Sequence, residues 1–95
     1  MDVLVTYDVS TEDKAGRRRL RRVAKTCVDY GQRVQQSVFE CSVDRAQYEQ
    51  LEDQLIALID EESDSLRIYR LAQPTAETVR TWGSDPLDLD EPLVL

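Results

Sequence analysis

The sequence predicts an α+β fold in which an open antiparallel sheet carries two helices on one face. Three observations lead there. Short β-branched runs alternate with two long amphipathic stripes, their order is strand, helix, strand, strand, helix, strand, and 95 residues allow one small domain. A chain of this length buries only about 60 to 70% of the surface its unfolded form exposes, so its private core is thin and association of copies is the obvious remedy.

Val3-Leu4-Val5-Thr6-Tyr7 is β-branched and aromatic enough for the first strand, which ends at Asp8-Val9. The quartet Ser10-Thr11-Glu12-Asp13 supplies several helix N-caps. Leu20, Val23, Ala24, Cys27 and Val28 then recur at i, i+3, i+4, i+7 and i+8, the apolar stripe of a helix of about four turns, with Gly31 placed to stop it. Arg33-Val34-Gln35 and Ser37 to Val43 read as two strands or as one bent strand. Asp44 with Gln47 has the form of a capping box, and Tyr48, Leu51, Leu55, Leu58 and Ile59 continue a second stripe up to the acidic stop Asp60-Glu61-Glu62. Leu66 to Leu71 is the last strand of the plan, ended by Pro74. This order is the ferredoxin-like βαββαβ arrangement over residues 1–83. Glu77 to Trp82 is a further strand candidate. Residues 84–95 form an acidic tail containing Pro86 and closing on Pro92-Leu93-Val94-Leu95, an apolar C-terminal strand that needs a partner within a dimer.

Composition excludes much chemistry. The chain has no histidine, which removes Ser-His-Asp and Cys-His catalysis, and Cys27 with Cys41 alone make a poor zinc site. Two cysteines and no secretory signal point to reduced thiols in a cytoplasmic protein. The longest purely aliphatic run is Val3-Leu4-Val5, far short of the roughly 20 residues that span a bilayer, so no membrane role is expected. The formal charge of -7 conceals a segregation: residues 1–43 carry net +2 and residues 44–95 net -9. Seven of the 12 basic residues lie between Lys14 and Lys25, with no acid among them.

Strand alternation puts Val3, Val5 and Tyr7 on one side of the first strand and Leu4, Thr6 and Asp8 on the other. With the more apolar set toward the helices, Asp8 ends the bare face, where a second copy packing sheet to sheet brings its own Asp8 close. A turn-forming or capping role is the plain alternative for this residue. Two carboxylates about 5 Å apart repel by about 3 kcal/mol at an effective dielectric of 20, and a shared hard cation turns that repulsion into a site. Few protein ligands and many waters suit Mg²⁺, with Mn²⁺ as a substitute.

Lys14, Arg18, Arg21, Arg22 and Lys25 fall opposite the apolar stripe, as contacts to nucleic-acid phosphates require. An ordinary solvated face is the bland reading, but such faces mix signs for i,i+4 pairing and this one does not. Arg17 extends the stripe three residues before Leu20, which directs it toward the sheet and Asp8.

Tyr7-Asp8-Val9, the block from Tyr30 through Gly31-Gln32-Arg33-Val34-Gln35-Gln36-Ser37-Val38-Phe39-Glu40 to Cys41, and Asp64 to Leu71 closely resemble the CRISPR-associated protein 2 family over nearly the whole chain. The resemblance implies a ferredoxin-like homodimer with an aspartate binding Mg²⁺ across the two-fold axis. It also implies metal-dependent endonuclease activity on RNA or DNA, and assembly with the CRISPR-associated protein 1 integrase for spacer acquisition. Carried onto this chain, Asp8 matches the metal aspartate, Tyr7 its neighbour, and Arg33 and Phe39 the functional positions of the middle block. Arg17 is placed as the helix arginine, with Arg19 as the alternative. Phe39 shares strand parity with Cys41 and Val43, so a core aromatic is an equal reading. Glu40, of opposite parity, is read as a surface residue.

Two functions follow: a Mg²⁺-dependent phosphodiesterase, with Arg17 or Arg33 holding the phosphate, or a non-catalytic dimeric adaptor whose basic helices hold duplex DNA. A sheet that stacks bases on exposed aromatics is disfavoured, because the chain has one Phe, one Trp and four Tyr without a suitably spaced pair.

Overall fold

The computed structural model describes residues 1–83, and the tail strand expected at Pro92 to Leu95 lies outside them. The elements are β1 (Asp2–Asp8), α1 (Lys14–Tyr30), β2 (Gly31–Gln35), β3 (Val38–Ser42), α2 (Arg45–Leu58), β4 (Ser65–Arg70) and a single helical turn, α3 (Thr75–Thr78). One antiparallel sheet has the order β2-β3-β1-β4, which is the ferredoxin-like arrangement. The central strand β1 pairs Val5 with Phe39 of β3 and with Ile68 of β4.

The core lies between the sheet and the two helices. Val3, Val5 and Tyr7 of β1 face it, joined by Phe39 and Cys41 of β3, Val23 and Cys27 of α1, and Leu51 and Leu55 of α2. Phe39 is fully buried and stacks on Tyr7 with ring centroids 6.2 Å apart. Truncating a buried phenylalanine removes transfer free energy and leaves a cavity. Phe39→Ala should therefore lower unfolding free energy by about 3 to 5 kcal/mol in urea titrations. A loss below about 1 kcal/mol would show that the ring does not anchor this core.

Both helix starts follow from their caps. The Gly16 N–H donates to Asp13 Oδ1 at 2.7 Å. Asp44 and Gln47 form the reciprocal capping box, with the Gln47 N–H on Asp44 Oδ1 at 2.8 Å and the Asp44 N–H on Gln47 Oε1 at 2.9 Å. Gly31 ends α1 by passing directly into β2 in extended backbone rather than through a left-handed turn. Glycine is required there for space, since a Cβ would overlap the Glu40 carbonyl oxygen and Cys41 Sγ of the adjacent strand.

Several expectations change. Of the two readings left open for the middle block, the two strands form, and a bulge at Val34 sets Arg33 opposite Phe39 and Gln35 opposite Val38. Val28 is 57% exposed, because it stands about 100° around the helix from Cys27, on the flank of the stripe. Gly16 takes the stripe position at the helix start. The strand expected over Glu77 to Trp82 does not form. Pro74 opens the turn α3 instead, closed by the Val79 N–H on the Thr75 carbonyl at 2.8 Å. No helix among the described residues is long and apolar enough to cross a membrane.

Candidate metal and nucleic-acid site

The face of the sheet opposite α1 and α2 presents Leu4, Thr6 and Asp8 of β1 and, by register, Val38 and Glu40 of β3 and Ser65, Arg67 and Tyr69 of β4, with α3 at its Asp2 end, where the Thr75 hydroxyl donates to the Asp2 carboxylate. Leu4, Thr6, Val38 and Glu40 are half-buried, whereas Asp8, at the C-terminal end of β1, is exposed. Asp8 opens the loop that leads into α1. That loop is held at several points. Val9 enters the core, the Ser10 N–H donates to Asp64 Oδ1 at 3.0 Å, and Arg17 Nη1 donates to the Thr11 carbonyl at 3.2 Å. Gly16 lets the helix approach, because a Cβ there would overlap the Ser10 carbonyl oxygen.

The residues expected to act together divide between the two faces of the sheet. Tyr7, Phe39 and Arg33 share the helix-facing side, away from Asp8. The Arg33 guanidinium carbon lies 5.0 Å from the Phe39 ring centroid, a cation–π contact. The Tyr7 hydroxyl and Arg33 Nε are buried without a hydrogen-bond partner among the described residues. Burial pushes the Tyr7 phenol up from its ordinary value, against the opposing pull of Arg33. Arg17 does not point under the sheet but is exposed, holding the loop after Asp8 from outside. The stripe position assigned to it belongs to Gly16, one residue earlier, which turns Arg17 onto the helix flank.

Arg19, the alternative helix arginine, turns inward. Its Nε donates to Asp64 Oδ2 at 2.9 Å, and the Asp64 side chain is completely buried. Burial alone would raise the Asp64 carboxyl, but the hydrogen bond from Arg19 and the N–H groups of Asp60 and Ser10 hold it below its ordinary value. The stability this contributes is therefore present above the ordinary carboxylate value and is lost as pH falls through the lowered one.

Lys14, Arg17, Arg18, Arg21, Arg22 and Lys25 are all exposed on α1, and among the described residues none has a carboxylate within ion-pair distance. The α2 run differs, pairing Arg45 with Glu49 at i,i+4. An unneutralised cationic helix face is suited to a polyanion.

Two residues near Asp8 are not singled out by the sequence pattern. Arg67, across from Thr6, is the one cation that the strand register puts on the face of Asp8, and its Nη1 donates to Tyr69 Oη at 3.0 Å. Its signal was strand parity on β4, set once Asp8 is paired with Ser65. Asp64 carried no local signal, because its partner Arg19 is 45 residues away.

The chemistry of the donors fits a hard, water-retaining cation. Asp8 is an exposed carboxylate, the chain has no imidazole, and burial pushes the Cys27 and Cys41 thiols up to about 12 and about 11, so neither is available as thiolate. Within one chain no group of three or more ligand-type side chains gathers among the described residues, so Asp8 needs donors from water or a second copy.

The family model for CRISPR associated protein Cas2 matches residues 1–79. The chain belongs to the Cas2 family. The CRISPR-associated endoribonuclease Cas2 1 of Moorella thermoacetica is 58% identical over all of both chains. The CRISPR-associated endonuclease Cas2 of Halalkalibacterium halodurans is 55% identical over 99% of each. Among solved structures, Streptococcus pyogenes Cas2 superposes with a TM-score of 0.76 at 58% identity, covering 87% of this chain and 100% of its own. The membership expected from Tyr7-Asp8-Val9 and the block ending at Cys41 is thus shown, together with the ferredoxin-like fold of Cas2.

Proposed function

We propose that this Cas2 chain works in the cytoplasm as a homodimer packed through the bare sheet faces, cleaving RNA or DNA phosphodiesters with Mg²⁺ or Mn²⁺ held between the two Asp8 carboxylates. One observation carries this reading: Asp8 is an exposed carboxylate ending a central strand on the face opposite α1 and α2. The Moorella and Halalkalibacterium relatives, an endoribonuclease and an endonuclease by name, support it. When bound, the ion supplies an activated water and neutralises charge developing at phosphorus. Asp8 holds the ion, and the backbone clamps on Ser10 and Thr11 fix where its carboxylate stands. Arg67, sharing that face, holds the phosphate, a role that Arg33 cannot fill from the other side of the sheet without reorganisation.

Light scattering at micromolar concentration should report about twice 10.9 kDa, and calorimetry should find one Mn²⁺ per two chains. A monomer, or a full site on each chain, would overturn the shared-ion reading.

A second reading is favoured by the cationic face of α1, unpaired among the described residues and on the opposite layer from Asp8. In it, the dimer is an adaptor that carries duplex DNA and spaces two units of the CRISPR-associated protein 1 integrase during spacer acquisition. The two readings share the dimer and differ in whether Asp8 is needed.

A further inference from the structure

Asp64 immediately precedes β4, and its enclosed carboxylate gathers three chain segments. Oδ1 accepts from the Ser10 N–H at 3.0 Å, with Arg19 Nη2 and Ser63 Oγ each at 3.4 Å. Oδ2 accepts from Arg19 Nε at 2.9 Å and from the Asp60 N–H at 2.8 Å. These contacts surround Asp8 in the chain. Ser10 is two residues after it, and Ser65, next to Asp64, is its cross-strand partner. One carboxylate therefore holds both the loop leaving Asp8 and the strand beside it.

Stability alone is a poor account of this arrangement. Enclosing an ion pair forfeits hydration that its mutual attraction only partly returns, and apolar replacements of similar volume are often as stable. What such a pair does supply is direction, because a bidentate arginine and a carboxylate fit in few geometries. Metal ligands depend on such support, and loss of the groups that orient them lowers affinity by about 10- to 100-fold.

We infer that Asp64, oriented by Arg19, is a positioning residue that sets the backbone on which Asp8 presents its carboxylate. The inference rests on the reading of Asp8 as a metal ligand, and it adds to that reading a residue that touches neither ion nor phosphate. Arg19 is thereby separated from the rest of its run: its exposed neighbours on α1 address a polyanion, whereas Arg19 is committed to the site from behind.

The test uses the full chain as Asp64→Asn, Arg19→Gln and Arg19→Lys, well below the unfolding temperature. Asp64→Asn keeps the shape of the side chain, and Arg19→Gln provides an independent cut if that variant fails to fold. Mn²⁺ affinity is read by calorimetry, and amide hydrogen exchange is read at residues 9–11 and 65. Asp64→Asn and Arg19→Gln should bind Mn²⁺ about tenfold or more weakly and exchange faster at those amides, with dimer and circular dichroism unchanged. Arg19→Lys, which restores the charge but not the fork, should recover part of the affinity. Wild-type exchange at residues 9–11 in both cut variants would overturn the inference, as would affinity losses no greater than those of Phe39→Ala. If the wild type binds no Mn²⁺, or Asp8→Asn binds it equally, the reading of Asp8 fails instead, and the exchange rates alone decide whether Asp64 sets this backbone.

Discussion

Asp8→Asn is expected to eliminate cleavage of RNA and DNA, reducing the rate by about 10³-fold or more, while leaving the protein folded. The magnitude follows from what an ion contributes to phosphoryl chemistry. Several kcal/mol of charge stabilisation disappear with it, and about 4 kcal/mol corresponds to about three decades in rate. The amide is nearly the same size as the carboxylate but carries no charge, so two of them facing each other cannot hold a divalent cation. Folding should be unaffected. Asp8 is exposed, and its place in the sheet depends on backbone pairing with Ser65 rather than on its side chain. A surface change of this kind usually stays within about 0.5 kcal/mol. The measurement is single-turnover cleavage of RNA and duplex DNA in Mg²⁺, with Mn²⁺ calorimetry on the same preparation. Cleavage persisting in the mutant at wild-type rate would remove Asp8 from the chemistry. Spacer integration with the partner integrase should stay largely intact if the adaptor reading describes the biological role. Its loss, with dimer and DNA affinity preserved, would make the ion essential there too.

The parity of β1 was legible because alternation in a half-covered strand is enforced by burial. Once Val3, Val5 and Tyr7 enter the core, Asp8 has no choice of face. The α2 cap was legible for a similar reason, since Asp44 and Gln47 satisfy each other's backbone within one turn. Errors arose where the deciding contact is not local. Val28 matches the helical period as well as Ala24 does, and only the position of the sheet under α1 leaves it outside. Arg17 and Arg19 differ by two positions in a run of like residues, so nothing nearby distinguishes the one that finds Asp64. Asp64 itself follows Asp60-Glu61-Glu62 and reads as one more solvated acid, although the fold encloses it. Arg33 was drawn to Asp8 by the resemblance, whereas the bulge at Val34 places it against Phe39 on the covered face. Secondary structure and the core were thus largely written in local pattern, and the assembly of the site was not.

Replacing Arg18, Arg21 and Arg22 together by alanine should nearly abolish the salt dependence of nucleic-acid binding. If roughly six phosphates are neutralised per dimer, log K against log salt should fall with a slope of about -5 in the wild type. Each phosphate-contacting arginine removed should reduce that slope by about one, and two copies of the triple substitution remove most of it. The three side chains are exposed on the side of α1 away from Val23 and Cys27, and alanine is the better helix former, so the helix should persist. Relief of like-charge crowding between Arg18 and Arg22, four residues apart, works in the same direction. Fluorescence anisotropy with a labelled duplex over a salt series measures the slope, and an unchanged slope would reduce the basic run to a solvated surface. The same variant separates the roles of the two layers. Asp8→Asn should keep the wild-type slope while losing cleavage, because the ion site proposed at Asp8 is on the bare face and the arginines lie on the helical one. The arginine variant should lose cleavage and integration together, since both need the nucleic acid delivered. If it lost binding but cleaved at the wild-type rate under saturating substrate, the helix would serve only to capture nucleic acid, and the phosphate held during reaction would be left to Arg67 beside Asp8.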